Sequence, residues 1–391
     1  MSRPTGSWRS IHVHHHDEAA EPELILRAVR PAFEAVAPWV GGAWFGRHWL
    51  LGPHLRLNFR TDEADWIDRV RPTVVVALED HLRGHPSTAR LDEAALAPVH
   101  ARLAALEMET GPLHPWVPDN TVRERPYDHR LPVLGSLRAS ELLADFLSDT
   151  NDQAFRAYAQ VRDGGGLSLL ALDLLWTTAS VAAVPFAEGG APIERGFLSL
   201  RSHADAFLSR TREPAALRAE FDARFRRQEA ALCDRLRAVE STLAGGAGPV
   251  PFVADWAAAV RRHQRIAHPL LASGEVSMGG AALAPRMPTR QLSEFHALLQ
   301  SDHGHQDFLR TDDWFASFRL VMNYLYLHLN RLGLKPVDRG LLCHLAARTV
   351  ESVHGVDAVG SFRQYVAAAD AAGGPPEWRR LGAAWAADGA G

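Results

Sequence analysis

Cysteine is nearly missing: Cys233 and Cys343 are the only two in 391 residues. That excludes a disulfide framework and a four-thiolate zinc site, and it fits a reducing cytoplasm, where we expect the chain to reside. A basic excess is lacking too. Lys and Arg number 42 against 46 Asp and Glu, a formal charge of -4, so the balance argues against a nucleic-acid partner. No uninterrupted apolar run approaches the roughly 20 residues that span a bilayer, and the N-terminus lacks the basic-then-apolar order of a secretory signal, so no membrane partner is expected. Phosphate-gripping glycine loops are absent: Gly164-Gly165-Gly166 lacks the strand and spacing of a dinucleotide fingerprint. Ser277, in Gly274-Glu275-Val276-Ser277-Met278-Gly279, is one residue off the nucleophile-elbow spacing with no strand ahead of it. The 20 histidines include short clusters, among them His303 and His305, which could converge with His296. His14, His15 and His16 are adjacent, so at most His12, His14 and His16 share a side of a strand. His296, His303 and His305 lack paired ligands one helical turn apart. No metal and no other cofactor is expected.

What the chain does contain is 47% hydrophobic and 23% charged residues, the balance of an ordinary globular protein, at a length that allows two or three modules. The first 60 residues read as antiparallel sheet with one helix. Trp8, Ser10, His12, His14 and His16 alternate with Arg9, Ile11, Val13 and His15, a strand with one apolar face in its middle. Pro22 opens a helical run with Leu26, Val29, Phe33 and Val36 at three- and four-residue intervals, and Pro31 is placed to kink it. A hairpin follows over 44–49 and 54–60. Leu55, Leu57 and Phe59 share one face of its second strand, His54, Arg56, Asn58 and Arg60 the other, and Gly52-Pro53 supplies the reversal. Helical periodicity covers 63–82 and 92–108. Residues 111–135 carry five prolines and little periodicity, an extended segment with room for one short strand. Helices are then predicted near 138–148, 152–161, 167–183, 194–209, 213–239, 253–265, 290–300, 312–332, 337–353 and 359–372, with a Gly-, Ala- and Pro-rich loop over 274–288. The expectation is an α+β fold: an N-terminal antiparallel sheet plus helices over residues 1–135 and a predominantly helical remainder over 136–391, packed together as one compact unit.

Two features are placed to carry chemistry. In the hairpin, strand parity sets Arg47 with Phe45 and Trp49 on one face, beside Trp44. Such an arginine either stacks at a cleft wall or snorkels at a sheet edge. In the helix over 312–332, Asp312 or Asp313 supplies the cap, and Trp314, Phe318, Val321, Leu325, Leu329 and Leu332 form an apolar stripe. Arg319, Asn323, Tyr326 and Asn330 stack on one neighbouring face. Ser317, Tyr324, His328, Arg331 and Lys335 make a second polar row. A firmly anchored helix lined with donors is a platform for a site, or else an internal hydrogen-bond network. The sequence leaves both open.

Trp44-Phe45-Gly46-Arg47-His48-Trp49, followed by Gly52-Pro53-His54-Leu55-Arg56-Leu57, resembles the signature of the elimination domain of lantibiotic dehydratases and of the related small proteins of thiopeptide biosynthesis. Leu327-His328-Leu329-Asn330-Arg331-Leu332-Gly333 resembles the same family's late Asn-Arg-Leu helix. Both stand in the family's order and spacing, so the resemblance runs from residue 8 to about 355 and implies an elimination-domain-like fold. It assigns one catalytic arginine to Arg47. The family's second arginine, in an Arg-Tyr-Gly-Gly stretch, has its nearest counterpart in Arg130 of Tyr127-Asp128-His129-Arg130-Leu131-Pro132, which lacks both glycines and the following tyrosine. The family histidine, four residues before the helix asparagine, is replaced by Tyr326. His328 would point about 200° around the helix from it.

These departures turn the expectation away from removal of glutamate from glutamylated Ser or Thr. They favour the thiopeptide macrocyclases, which join two dehydroalanines of an azole-containing precursor peptide in a formal 4+2 cycloaddition. Water and the leader peptide are then expelled, leaving a central pyridine. Glutamate elimination, tRNA-dependent addition of an amino acid to a peptide, and a non-catalytic peptide-binding partner remain the alternatives, and only the second involves nucleic acid. Cycloaddition needs the alkenes held face to face and acid–base groups to tautomerise one dehydroalanine amide and help the leaving groups depart. Tyr326 or Tyr324, Ser317, Asn323 and His328 offer such hydrogen bonds, with Arg47 polarising the carbonyl. Trp44 and Trp49 suit stacking on azoles, and Arg56, Arg130, Arg319 and Asn330 suit contacts to the peptide. The partners implied are a leader-bearing modified precursor peptide and other enzymes of a ribosomal-peptide pathway. The site so drawn requires Arg47 and the polar side of the Tyr326 helix to face each other across one cleft.

Overall fold

A computed structural model describes residues 6–183, 193–277, 292–301 and 310–371; most of the loop expected over 274–288 lies outside them, as do His303 and His305. Its strands form one four-stranded antiparallel sheet in the order β2-β3-β1-β4: β1 (Ser7–His14), β2 (Gly42–His48), β3 (His54–Thr61) and β4 (Thr121–Pro126). Period-two alternation sets the register. Val13 pairs with Leu55 and Ile11 with Leu57, while across the hairpin Phe45 pairs with Leu57 and Arg47 with Leu55. A slip of one residue would turn Ile11, Val13, Phe45, Leu55, Leu57 and Phe59, each at most 1% exposed, to the polar face.

Helices cover that apolar face. α1 (Glu21–Leu24) continues through a π-helical turn (Ile25–Val29) into α2 (Arg30–Val36), and Phe33 of α2 packs on Phe45, Phe59 and Phe155. α3 (Glu63–Asp65) is capped by the Asp62 side chain and leads through a second π-helical turn (Trp66–Val70) into α4 (Arg71–Gly84). In both cases a proline, Pro31 or Pro72, follows the π turn by two residues. Proline offers no N–H to the preceding turn and crowds its carbonyls, and local widening of the helix absorbs this without a break. α5 (Glu93–Glu107), α6 (Leu131–Leu134), α7 (Leu137–Asp149) and α8 (Asn151–Arg162) follow, and α7 and α8 pack on β2.

Two compact units result: Met1–Gly165 with Asn330–Gly333, and Gly166–Leu329 with Leu334–Gly391. The second is helical among its described residues: α9 (Leu167–Ala182), α10 (Ile193–Leu208), α11 (Pro214–Leu243), α12 (Val253–Ala272), α13 (Glu294–Ser301), α14 (Asp313–Arg331), α15 (Pro336–His354) and α16 (Ala358–Ala371). α9 is apolar nearly all round and accordingly buried. Its one charge, Asp173, is met by the fork of Arg235 at 2.9 and 2.7 Å. α10 comes close to α9 at Gly196, where a Cβ would fall 1.8 Å from the Ala179 carbonyl oxygen. Among the described residues no helix is long and apolar enough to cross a membrane.

Candidate active site

Arg47 stands at the end of β2 on the helix-facing side of the sheet, where apolar packing gives way to charge. Its Nε meets Glu21 at 2.8 Å and its Nη2 donates to Glu18 at 3.2 Å. Burial works against the Arg47 charge, but Glu21, Tyr158 and Glu18 more than offset it, so its proton is held more firmly than in free arginine. Gly333 lies against the guanidinium: a Cβ there would come within 2.9 Å of Nη1, and its φ of +91° favours glycine. Tyr158 of α8 donates to the Arg331 carbonyl at 2.8 Å and approaches Glu21 at 3.5 Å. Arg331 itself is buried. It donates to the Leu147 carbonyl at 2.9 Å and to the Thr150 carbonyl and hydroxyl at 2.9 and 3.0 Å, with its charge 5.6 Å over the Phe45 ring. Burial pushes Arg331 down to about 9, which leaves it charged at neutral pH. The hairpin and the Asn-Arg-Leu-Gly stretch, far apart in sequence, therefore meet in the first unit around one network.

The opposite face of the hairpin is a second polar cluster. Arg56 donates to Asp128 at 2.9 Å and to His48 Nδ1 at 3.1 Å. Arg130, left-handed at φ 49°, donates to Glu107 at 3.3 Å, and so does the Trp49 indole at 3.2 Å. Trp49 does not share the Arg47 face. It stands past the end of β2, in a turn with left-handed Leu51 and Gly52, and stacks on His48, because alternation ends with the strand. Trp44 meets Tyr127 edge-on. His48, Glu107 and Glu109 bring ligand atoms within 4.8 Å of one another, the spacing of a metal site. The donor set does not suit a cation. His48 Nδ1 accepts from the Leu50 N–H at 3.1 Å as well as from Arg56, so its proton sits on Nε2, the atom facing Glu107.

Imidazoles dominate the middle of this face. His12 stacks on His54 at 4.7 Å, and His14 meets it tilted at 4.6 Å. Burial, with Arg56 next, pushes His12 down to about 3; burial, with His16 next, pushes His14 down to about 4. In the second unit burial holds His203 and His344 at about 4. An unfolded histidine takes up its proton near 6.5, so between pH 6.5 and about 4 the unfolded chain binds more protons than the folded one. Stability from these groups is therefore complete above pH 6.5 and falls as the pH drops through that window. Thermal melts should show a plateau from pH 8 to 7 and a progressive loss from 6.5 to 4.5; a level melting temperature down to pH 5 would contradict this.

In the second unit, the apolar stripe of α14 is buried as the sequence predicts. Tyr326 is buried beside it. Its hydroxyl is hydrogen-bonded to His203 Nδ1 of α10 and lies 3.6 Å from Cys343 Sγ of α15, while the Arg339 charge lies 4.6 Å over its ring. Burial, then Cys343, pushes the Tyr326 phenol well above 10. Ser317 donates to the Trp314 carbonyl at 2.6 Å and accepts from Gln264 at 3.2 Å, and His328 packs on the Trp256 ring at 4.6 Å. Tyr324 is buried as well. Of the row the sequence drew, Ser317, Tyr324 and His328 are buried in the second unit and Arg331 in the first, while Lys335 is exposed. Arg319 is half-buried, and Asn323 and Asn330 are exposed. Sequence reasoning had no place for Glu21 and Tyr158 around Arg47, or for His203, Arg339 and Cys343 around Tyr326. One signal was there: His203 interrupts the buried stripe Phe197, Leu200, Ala204 and Leu208 of α10.

Known proteins match this architecture over most of the chain. The family described as lantibiotic biosynthesis dehydratase C-term matches residues 8–350. Among solved structures, the pyridine synthase TbtD from thiomuracin biosynthesis is similar with a TM-score of 0.72 and 35% sequence identity, covering 90% of this chain and 99% of that one. TsrL shares the fold, with a TM-score of 0.66 and 23% identity over 91% of this chain and 97% of its own. No curated protein matches the chain. With its hairpin and Asn-Arg-Leu-Gly motifs brought together in space and the family match running through both units, the chain belongs to the lantibiotic dehydratase C-terminal family.

Proposed function

We propose that the chain is a thiopeptide pyridine synthase. It joins two dehydroalanines of an azole-containing precursor peptide by formal 4+2 cycloaddition, and loss of water and the leader peptide then leaves a pyridine. The likeness to TbtD, which runs through nearly the whole of both chains at one-third identity, carries the reading. A second observation favours it over glutamate elimination. Arg47 holds Glu21 and Glu18, and Arg130 holds Glu107. The two arginine positions that a glutamyl carboxylate would need are engaged by carboxylates of the chain itself.

On this reading Tyr326 supplies the decisive hydrogen bond to the dehydroalanine amide. Ser317, Tyr324 and His328 act by packing and bonding around the helix that carries it. Exposed Asn323 and Asn330, with Arg319, offer donors and acceptors to the peptide backbone. On the hairpin, Trp44 and Trp49 stack on azoles, while Arg47, Arg56 and Arg130, each already paired with a carboxylate of the chain, have only their remaining N–H groups to offer neutral carbonyl oxygens. The partner is a leader-bearing precursor already dehydrated by other enzymes of a ribosomal-peptide pathway, inside the cell.

Incubation of the purified chain with an azole-containing peptide bearing two dehydroalanines, followed by mass spectrometry, tests this. The expected product is lighter by water plus the leader amide. Release of glutamate from a glutamylated peptide, with no such product, would replace the reading by elimination; tight binding without conversion would replace it by a partner role.

A further inference from the structure

We propose that His203 is the positioning residue of Tyr326: it draws the phenol proton into a hydrogen bond, so that the phenol oxygen presents lone pairs and meets a substrate N–H as an acceptor. The inference rests on the reading of Tyr326 as the hydrogen-bonding group of a pyridine synthase.

Two partners reach the phenol oxygen, His203 Nδ1 and, at 3.6 Å, Cys343 Sγ. A phenol is a stronger donor than a thiol, and an imidazole nitrogen a stronger acceptor than sulfur. The O–H therefore turns to Nδ1, and any S–H contribution from Cys343 adds to the oxygen's lone pairs. Burial acts most strongly on His203, followed by Arg339, His296, Arg319 and Arg210, and each of them disfavours its charged form. Nothing among them would favour an imidazolium, so His203 stays the neutral acceptor. Arg339 lies over the ring face, where it fixes the ring without competing for the oxygen. α10 and α15 are locked at the same level: a Cβ on Gly340 would fall 2.4 Å from the ring of Phe207, one helical turn after His203. The phenol rotor is thus set by two helices that cannot slide past each other. The assignment makes Tyr326 a hydrogen-bond acceptor that orients the substrate amide N–H, with the phenol keeping its own proton on the bond to His203.

The test uses the full chain with the bis-dehydroalanine azole peptide. His203→Leu removes the acceptor and should lower kcat tenfold or more with KM within threefold of wild type. His203→Asn, whose side-chain oxygen can still accept from the phenol, should recover to within about threefold of wild-type kcat. Nitrogen-15 spectra of histidine-labelled protein should show an unprotonated, hydrogen-bonded Nδ1 whose shift changes in Tyr326→Phe. Active wild type with unchanged kcat in His203→Leu would overturn the proposal, and so would a protonated Nδ1 in the spectrum. A wild type that forms no pyridine would sink the functional reading instead, and the spectrum would still decide the direction of the hydrogen bond. Should the leucine variant misfold, the asparagine variant and the spectrum decide the matter: an asparagine variant slowed tenfold or a protonated Nδ1 would overturn the proposal.

Discussion

Arg331→Ala should lower the stability of the first unit by about 4 kcal/mol, seen as a fall of roughly 10 °C in its melting transition. Arg331 donates to three acceptors: the Leu147 carbonyl, the Thr150 carbonyl, which also takes the Ala154 N–H at 3.2 Å, and the Thr150 hydroxyl. All are interior, and a hydrogen bond to a charged group contributes about 1.5–3 kcal/mol, so losing these bonds weakens the network even where a second donor remains. The truncated side chain also leaves space beside Phe45 that the backbone cannot fully close. Asn330→Ala is the control. Its side chain is exposed one residue away, and the change should stay within about 0.5 kcal/mol. Equal melting of the two variants would show that the network around Arg331 contributes nothing to the fold.

Tyr326→Phe should lower the rate of pyridine formation tenfold or more, at least about 1.4 kcal/mol of transition-state stabilisation, while leaving leader-peptide affinity nearly unchanged. Phenylalanine keeps the ring under Arg339 and the packing against α10 and α15. Only the hydroxyl and its bond to His203 disappear. A stability loss near 1 kcal/mol is expected from that bond, too small to empty the folded state. Unchanged kinetics would remove Tyr326 from the chemistry and leave it a structural phenol.

The hairpin was legible because period-two alternation admits one answer. Leu55, Leu57 and Phe59 cannot all be buried in any other register, and Gly52 marks the reversal. The kink expected at Pro31 was visible too, though not the π turn that absorbs it, nor the matching turn before Pro72, since a widened turn leaves no trace in apolar spacing. The α14 row of Ser317, Tyr324, His328 and Arg331 was ambiguous for a physical reason. Polar residues beside an apolar stripe look the same whether the neighbouring space is water or another helix. What decides Arg331 is the pair of carbonyls at Leu147 and Thr150, and backbone acceptors are invisible in a sequence. Glu21 and Glu18 were illegible in the same way. Their approach to Arg47 is a matter of tertiary placement, which acidic residues near the first helix do not announce. His203 alone left a trace, a polar side chain within the buried stripe of α10.

Formal 4+2 joining of two dehydroalanines links their β-carbons directly. A precursor carrying carbon-13 at both β positions, incubated with the full chain, should therefore develop a one-bond carbon–carbon coupling between the two labels as the alkene signals fade. Labels that remain uncoupled methylene carbons after prolonged incubation with folded protein would contradict the account.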